Sequence, residues 1–362
     1  MVVGTRPEAI KLAPVHTRLR QRLGTLGSRV LLTGQQVESA RTGLEAFDIT
    51  ADLMLPAVQR DGTGRKMAGM LDQASQVMSR TDPDGVVVLG GSNSALVGAL
   101  AGYYANVPVS HVEAGIRTHD LDRPYPDEGN RQLITRIASM HFAPTGRAAD
   151  NLTAEGVPSE RIDVVGNTIV DAIEQARPRF AGTCPPPPDG THRIVIALQR
   201  REFWGKPIVR FCGALRRLAL SRPDIELVFV LHPDPTLKRT IRNAIGSGVN
   251  IHLVDALDFL AMQALLSTAD VLITDSNGLQ EAAPSHHLPT LVTRDKTDQI
   301  EAVEAGTARL IGFNGRLAAQ EVRRLLDDRR AYADMASPDN PFGDGHAAER
   351  IVAALHDLRA AA

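Results

Sequence analysis

The sequence predicts an α/β fold built as two similar halves facing each other across a ligand cleft. Three observations predict it. Short β-branched runs alternate with longer amphipathic stretches, the pattern of a parallel sheet with crossover helices. The alternation occurs twice, on either side of residues 177–190, where Pro185 to Pro188 run unbroken. Consecutive prolines suit a surface connection and neither a helix interior nor a central strand. The length of 362 residues exceeds one ordinary core, which makes two domains the expectation.

The elements follow in order. Gly4-Thr5-Arg6-Pro7-Glu8 continues the tail of a first strand and opens a helix over 7–23, with proline in its first turn. Apolar runs at 29–33, 85–90, 107–112 and 162–165 predict strands, and the patterns at 93–105 and 128–139 predict helices between them. After the proline segment, 193–198, 225–231, 250–254 and 270–274 predict strands. Helices are expected at 207–221, 236–245, 257–268 and 278–283, and a last amphipathic one at 346–360.

Composition narrows the function. Forty basic and forty-two acidic residues leave a net charge of −2, so nothing in bulk electrostatics calls for nucleic acid or a membrane surface. No apolar run approaches the roughly eighteen residues that span a bilayer, and the N-terminus lacks the pattern of a signal peptide. Two cysteines, Cys184 and Cys212, make no disulfide scaffold and lack metal-ligand spacing. A cytoplasmic protein without a metal is expected. His141, His286 and His287 are likewise expected to cap or pack.

The residues that carry chemistry cluster at predicted strand ends, where open α/β sheets bind ligands. Glu113, Asp127, Glu128 and Arg131 stand among Gly, Pro and aromatic residues just beyond 107–112. Carboxylates held beside arginine there are candidate acids and bases; a helix start decorated with acids is the plainer reading. The Gly4–Glu8 turn offers backbone N–H groups and Arg6 to an anion. In Thr274-Asp275-Ser276-Asn277-Gly278-Leu279-Gln280-Glu281 a strand ends in a small polar turn, where Ser276 or Asn277 either caps a helix or holds a phosphate.

Read together, these segments resemble the non-hydrolysing UDP-N-acetylglucosamine 2-epimerase family. The resembling residues are Gly4 to Lys11, His111 to Thr118, Pro126 to Arg131, Gly166 to Thr168, Arg200 to Glu202, His232-Pro233, Thr274 to Ser276, Gln280-Glu281 and Asn340 to Gly345, in the family's order over essentially the whole chain. The resemblance implies two Rossmann-like domains of the GT-B type, over 1–170 and 171–345, and a final segment, 346–362, crossing back to the first. It implies a homodimer and a cofactor-independent reaction that inverts C2 by eliminating UDP to a glycal and adding it back. The acid/base set carried over is Glu113, Asp127, Glu128, Arg131 and His232. The substrate and phosphate set is Arg6, Lys11, Gln199, Arg200, Ser276, Asn277, Gly278 and Glu281, with Lys11 expected one helical turn behind the anion site.

The chain also departs from the family pattern. The Gly-Asp-Thr turn reads Gly90-Gly91-Ser92, so Gly91 replaces a carboxylate, and the family's Gly-His-Arg-Arg-Glu histidine is Gln199. Met262 stands where the family stacks an aromatic ring on uracil, Asn277 replaces a glycine, and Asp298-Gln299-Ile300-Glu301 lacks an arginine. The Gln-His pair that some members use for a regulatory UDP-sugar reads Gln35-Gln36. A lost stacking platform forfeits about 1–3 kcal/mol. These departures predict a sugar epimerase with an altered substrate, a phosphorylated sugar such as a ketohexose phosphate, deprotonated next to its carbonyl. The first alternative is a genuine UDP-N-acetylglucosamine 2-epimerase producing UDP-N-acetylmannosamine. The others are a non-catalytic binding protein and a nucleotide-sugar hydrolase. Phe203 and Trp204 are expected either to line a reshaped sugar pocket or to cover a hinge.

Overall fold

The computed structural model describes residues 1–58 and 61–361. The chain divides into two compact units, Met1–Gln175 with Phe342–Ala362, and Ala176–Pro341.

The first unit begins β1 (Val2–Val3), α1 (Arg6–Leu23), β2 (Leu31–Leu32), α2 (Val37–Glu45), β3 (Leu53–Met54) and α3 (Thr63–Thr81). It continues with β4 (Val86–Leu89), α4 (Asn93–Tyr104), β5 (Val109–Val112) and α5 (Asp127–Ile137). The half closes with β6 (Met140–Ala143), α6 (Gly146–Ala154), β7 (Ile162–Val164) and α7 (Thr168–Phe180), whose residues from Ala176 on belong to the second unit. Its strands form sheets in the orders β1-β2-β3 and β4-β5-β6-β7, every pair parallel, with β1 in contact with β4. That is the doubly wound order. β4 and β5 are buried along their whole length because helices cover both faces. α4 is apolar on all sides for the same reason.

α1 starts with a complete capping box: Thr5 accepts from the Glu8 N–H, and Glu8 accepts from the N-cap backbone. Pro14 lies inside this helix. Arg177 to Phe180 belong to α7 and not to the proline connection, with Pro178 lying inside the helix.

The second unit holds β8 (His192–Ala197), α8 (Lys206–Ser221), β9 (Ile225–Val230), α9 (Pro235–Ile245), β10 (Ile251–Val254), α10 (Phe259–Leu266) and β11 (Val271–Thr274). After these come α11 (Asn277–Ala282), β12 (Thr290–Val292), α12 (Ile300–Glu304), β13 (Ala308–Leu310), α13 (Gly315–Asp327) and α14 (Arg329–Ala336). One parallel sheet runs β10-β9-β8-β11-β12-β13, again doubly wound. Ile194, Ile196, Phe229 and Ile273 pack under Phe211 and Leu215 of α8 to form its core.

The last helix, α15 (Ala347–Ala361), belongs to the first unit. The Asp171 carboxylate caps it, accepting from the N–H groups of Ala347 at 3.2 Å and Ala348 at 2.8 Å. Ala347, Ala348, Ile351 and Val352 are buried, and the helix lies against α1. Among the described residues no helix is long and apolar enough to cross a membrane.

Candidate active site

In the first unit the carboxyl ends of β4 and β5 carry the expected acids. β5 stops at Val112, and Glu113 turns the chain at φ +62, a left-handed conformation rare outside glycine. That turn sets its carboxylate 2.5 Å from the Lys11 ammonium, with both side chains about nine-tenths buried. Lys11, expected one helical turn behind the anion site, is paired here with Glu113. The buried imidazole of His111 bonds the Gly90 carbonyl at 2.8 Å. Burial pushes His111 down to about 3, so the ring is neutral and donates through Nε2.

α5 supplies the other acids in its first turn. Asp127 is half-buried, and burial raises its pKa while Arg131 opposes the rise. Glu128 is fully buried and accepts from the N–H groups of Thr118 and His119 at 3.0 and 3.3 Å and from Gln132 at 2.9 Å. This corrects its expected acid/base role: the carboxylate anchors the loop after Glu113. Asn130 donates to the Gly91 carbonyl at 2.9 Å, tying α5 to the β4–α4 turn. At Gly91 itself a Cβ would stand 2.4 Å from the Asp127 carbonyl oxygen and 2.7 Å from Arg131 Cγ. Any side chain there requires α5 to move.

The Gly4–Glu8 turn differs from the expected anion cradle. Its own Glu8 carboxylate accepts the N–H groups of Gly4 and Thr5 at 2.7 and 2.8 Å, and Ser92 donates to the other oxygen. The backbone donors are occupied, and Arg6 remains as the cation of the turn. Gln35 accepts from the Ser94 N–H and hydroxyl at 2.9 and 2.6 Å. A cavity at the opposite strand ends, among Leu19, Arg29, Val77 and Gly85, holds none of the acid/base groups.

The second unit builds its polar turn around Asp275, which the sequence reading left without a role. Almost fully buried, it accepts from the N–H groups of Gln199 at 2.8 Å and Arg200 at 2.9 Å. Gln199 and Arg200 are thereby held through their backbones beside Ser276. Ser276 makes no side-chain cap, and its hydroxyl is part-exposed at the start of α11. Gly278 faces open space. One expectation is corrected here. Asn277 links Arg294 and Asp298, accepting from the former at 2.7 Å and donating to the latter at 2.8 Å, so its amide serves the protein and not a phosphate. Glu281 is 2% exposed.

His232 accepts the Asp234 N–H on Nδ1 at 3.1 Å, which leaves Nε2 carrying the proton. Trp204 packs edge-on against this imidazole at 5.5 Å, and Phe203 stacks on Phe313 at 4.1 Å. Met262 is buried in an apolar cluster with Val195, Val230, Leu265 and Leu279. His286 bonds Gln263 and His287 the Ala336 carbonyl. Among the described residues no group of three His, Cys, Asp or Glu side chains is arranged to hold a metal ion.

Two carboxyl groups in contrasting surroundings, one beside an ammonium and one raised by burial, suit proton removal and return at a carbon. Comparison with known proteins bears on which carbon. Residues 19–356 match a family model described as UDP-N-acetylglucosamine 2-epimerase. The UDP-N-acetylglucosamine 2-epimerase of Yersinia pestis is 39% identical over 98% of this chain and 97% of its own. That of Escherichia coli K12 is 36% identical over 99% of this chain and 98% of its own. The crystal structure of the Neisseria meningitidis UDP-GlcNAc 2-epimerase bound to UDP-GlcNAc superimposes with a TM-score of 0.89 at 34% identity, covering 98% of both chains.

Proposed function

The chain belongs to the UDP-N-acetylglucosamine 2-epimerase family, and we propose that it interconverts UDP-N-acetylglucosamine and UDP-N-acetylmannosamine. The expected ketohexose phosphate finds no support among relatives that share the full length and carry the nucleotide-sugar name. The observation that carries the proposal is the Lys11–Glu113 pair at the end of β5, with Gly90 against the Glu113 carboxylate and Gly91 against the Asp127 backbone.

Glu113, beside the Lys11 ammonium, takes the proton from C2 while UDP leaves C1, giving 2-acetamidoglucal and UDP. UDP then adds back through its phosphate oxygen at C1, and Asp127, which burial favours in its protonated form, returns a proton to the other face of C2. Arg200, Ser276 and the Nε2–H of His232 are the proposed diphosphate contacts of the second unit. Gly91 contributes no acid, so the two carboxyl groups carry both transfers. As parts of the same proposal, the protein acts in the cytoplasm as a homodimer.

The test is incubation with UDP-N-acetylglucosamine in D₂O, followed by proton NMR. Formation of the manno epimer with deuterium at C2 is expected. Exchange into a ketohexose phosphate and none into the nucleotide sugar would overturn the reading. UDP is expected to stabilise the protein against heat even with Met262 in place of an aromatic ring.

A further inference from the structure

The charge of the second unit is divided between the two faces of its sheet. α9, α8 and α13 lie side by side over the face that holds Ile194, Phe229 and Ile273. They carry ten basic residues and two acidic ones. α10 and α11, which pack on the other face, carry no basic residue. Both acids of the basic layer are engaged: Glu321 is buried against Arg309 and Arg324, and Asp327 meets Arg222 at 2.9 Å. Arg216, Arg217 and Arg323 are exposed and meet no carboxylate among the described residues. The whole-chain charge of −2 conceals this asymmetry.

At the end of α8 these cations surround apolar side chains. Leu220 is 61% exposed and sits one helical turn beyond Arg216 and Arg217. The turn after α9 is fixed alongside, because the Asn250 amide donates to the Ala219 carbonyl at 2.9 Å, and it presents Val249 fully exposed. On the other flank Arg323 of α13 donates to the Ser221 hydroxyl at 3.1 Å. Exposed apolar tips ringed by arginines suit an anionic bilayer: the guanidiniums meet lipid phosphates while the tips enter the headgroup layer. Duplex nucleic acid would reward the cations alone. We propose that this end of the second unit docks on an anionic phospholipid surface through Arg216, Arg217, Arg323, Leu220 and Val249. α8 runs from the carboxyl end of β8 to the start of β9, so the surface lies at the strand ends opposite Ser276. It stands independently of the sugar the protein takes.

The full-length protein is floated with vesicles of phosphatidylcholine, and of phosphatidylcholine mixed with phosphatidylglycerol, at low and at raised salt. Binding to the mixed vesicles alone is expected, weakening as salt screens the charges. Arg216→Gln and Arg217→Gln each lower the partition coefficient about 5-fold. Leu220→Ser lowers it by a similar factor that salt does not erase. Arg65→Gln, an equal change of charge on the exposed side of α3 in the first unit, leaves binding unaltered. All four side chains are exposed, so the variants keep the melting temperature of the parent. Equal flotation with neutral vesicles, flotation with neither, or the same loss in the Arg65 and Arg216 variants overturns the proposal. Capture of a DNA duplex without vesicle binding assigns the arginines to nucleic acid and overturns it as well.

Discussion

At the scale of single residues, the proposed reaction turns on two acids held differently. Glu113→Gln removes the proposed base and is expected to lower kcat by about 10²–10⁴-fold, while calorimetry shows UDP binding little changed. Asp127 behaves oppositely in stability. Its folded pKa is raised by burial, so the stability it contributes is full at low pH and lost as pH rises through the folded value. Asp127→Asn should therefore raise the melting temperature at pH 8, relative to wild type, as it abolishes exchange at C2. A lower melting temperature would show the carboxylate to be a structural partner. Gly91→Ala is expected to cost about 1–3 kcal/mol by overpacking against Asp127 and Arg131, measured by denaturant unfolding. The partnership of Lys11 with Glu113 bridges residues 102 positions apart, and no spacing argument reaches that far. Glu113 and Asp127 were legible because they flank a strand end. Lys11, on its helix, gave only its charge.

At the scale of elements, the long buried strands β4, β8 and β9 were legible, and the apolar runs at 29–33 and 162–165 also marked β2 and β7, of two and three residues. β3, β12 and β13 have two or three residues each, too few to show a period. β6 carries His141 in its middle, which masked its apolar character. α3 begins after Gly62 without a side-chain cap and contains two glycines, so the usual start signals are missing. The loops that hold the site are fixed by buried carboxylates that composition cannot reveal. Asp275 is the clearest case. Asp275→Ala leaves the Gln199 and Arg200 N–H groups without their acceptor, a loss of about 1–3 kcal/mol per orphaned group. The expected readout is faster amide exchange at 199–200 and a raised KM for the nucleotide sugar, with kcat less affected. An unchanged KM would separate this loop from substrate binding.

At the scale of the whole molecule, the buried histidines are distributed unevenly. His16, His111 and His141 all lie in the first unit, and burial pushes them down to about 4, 3 and 4. Their folded values lie below the ordinary value near 6.5. The stability they contribute is complete above that value and falls as pH drops toward 4 and then 3, because the unfolded chain takes up protons that the folded chain refuses. Calorimetry at falling pH should show the first unit losing stability below pH 6.5, and His111→Asn should flatten the dependence. A second unit that weakens first would contradict the assignment.

The chain leaves the first unit at Gln175 and re-enters it at Phe342 to lay down α15. The second unit is one uninterrupted stretch and the first is not. During synthesis, then, the second unit has its full complement of strands once Pro341 clears the ribosome, while the first still lacks the helix that Asp171 caps. A premature stop near residue 340 strips the first unit of its closing helix and leaves the other whole.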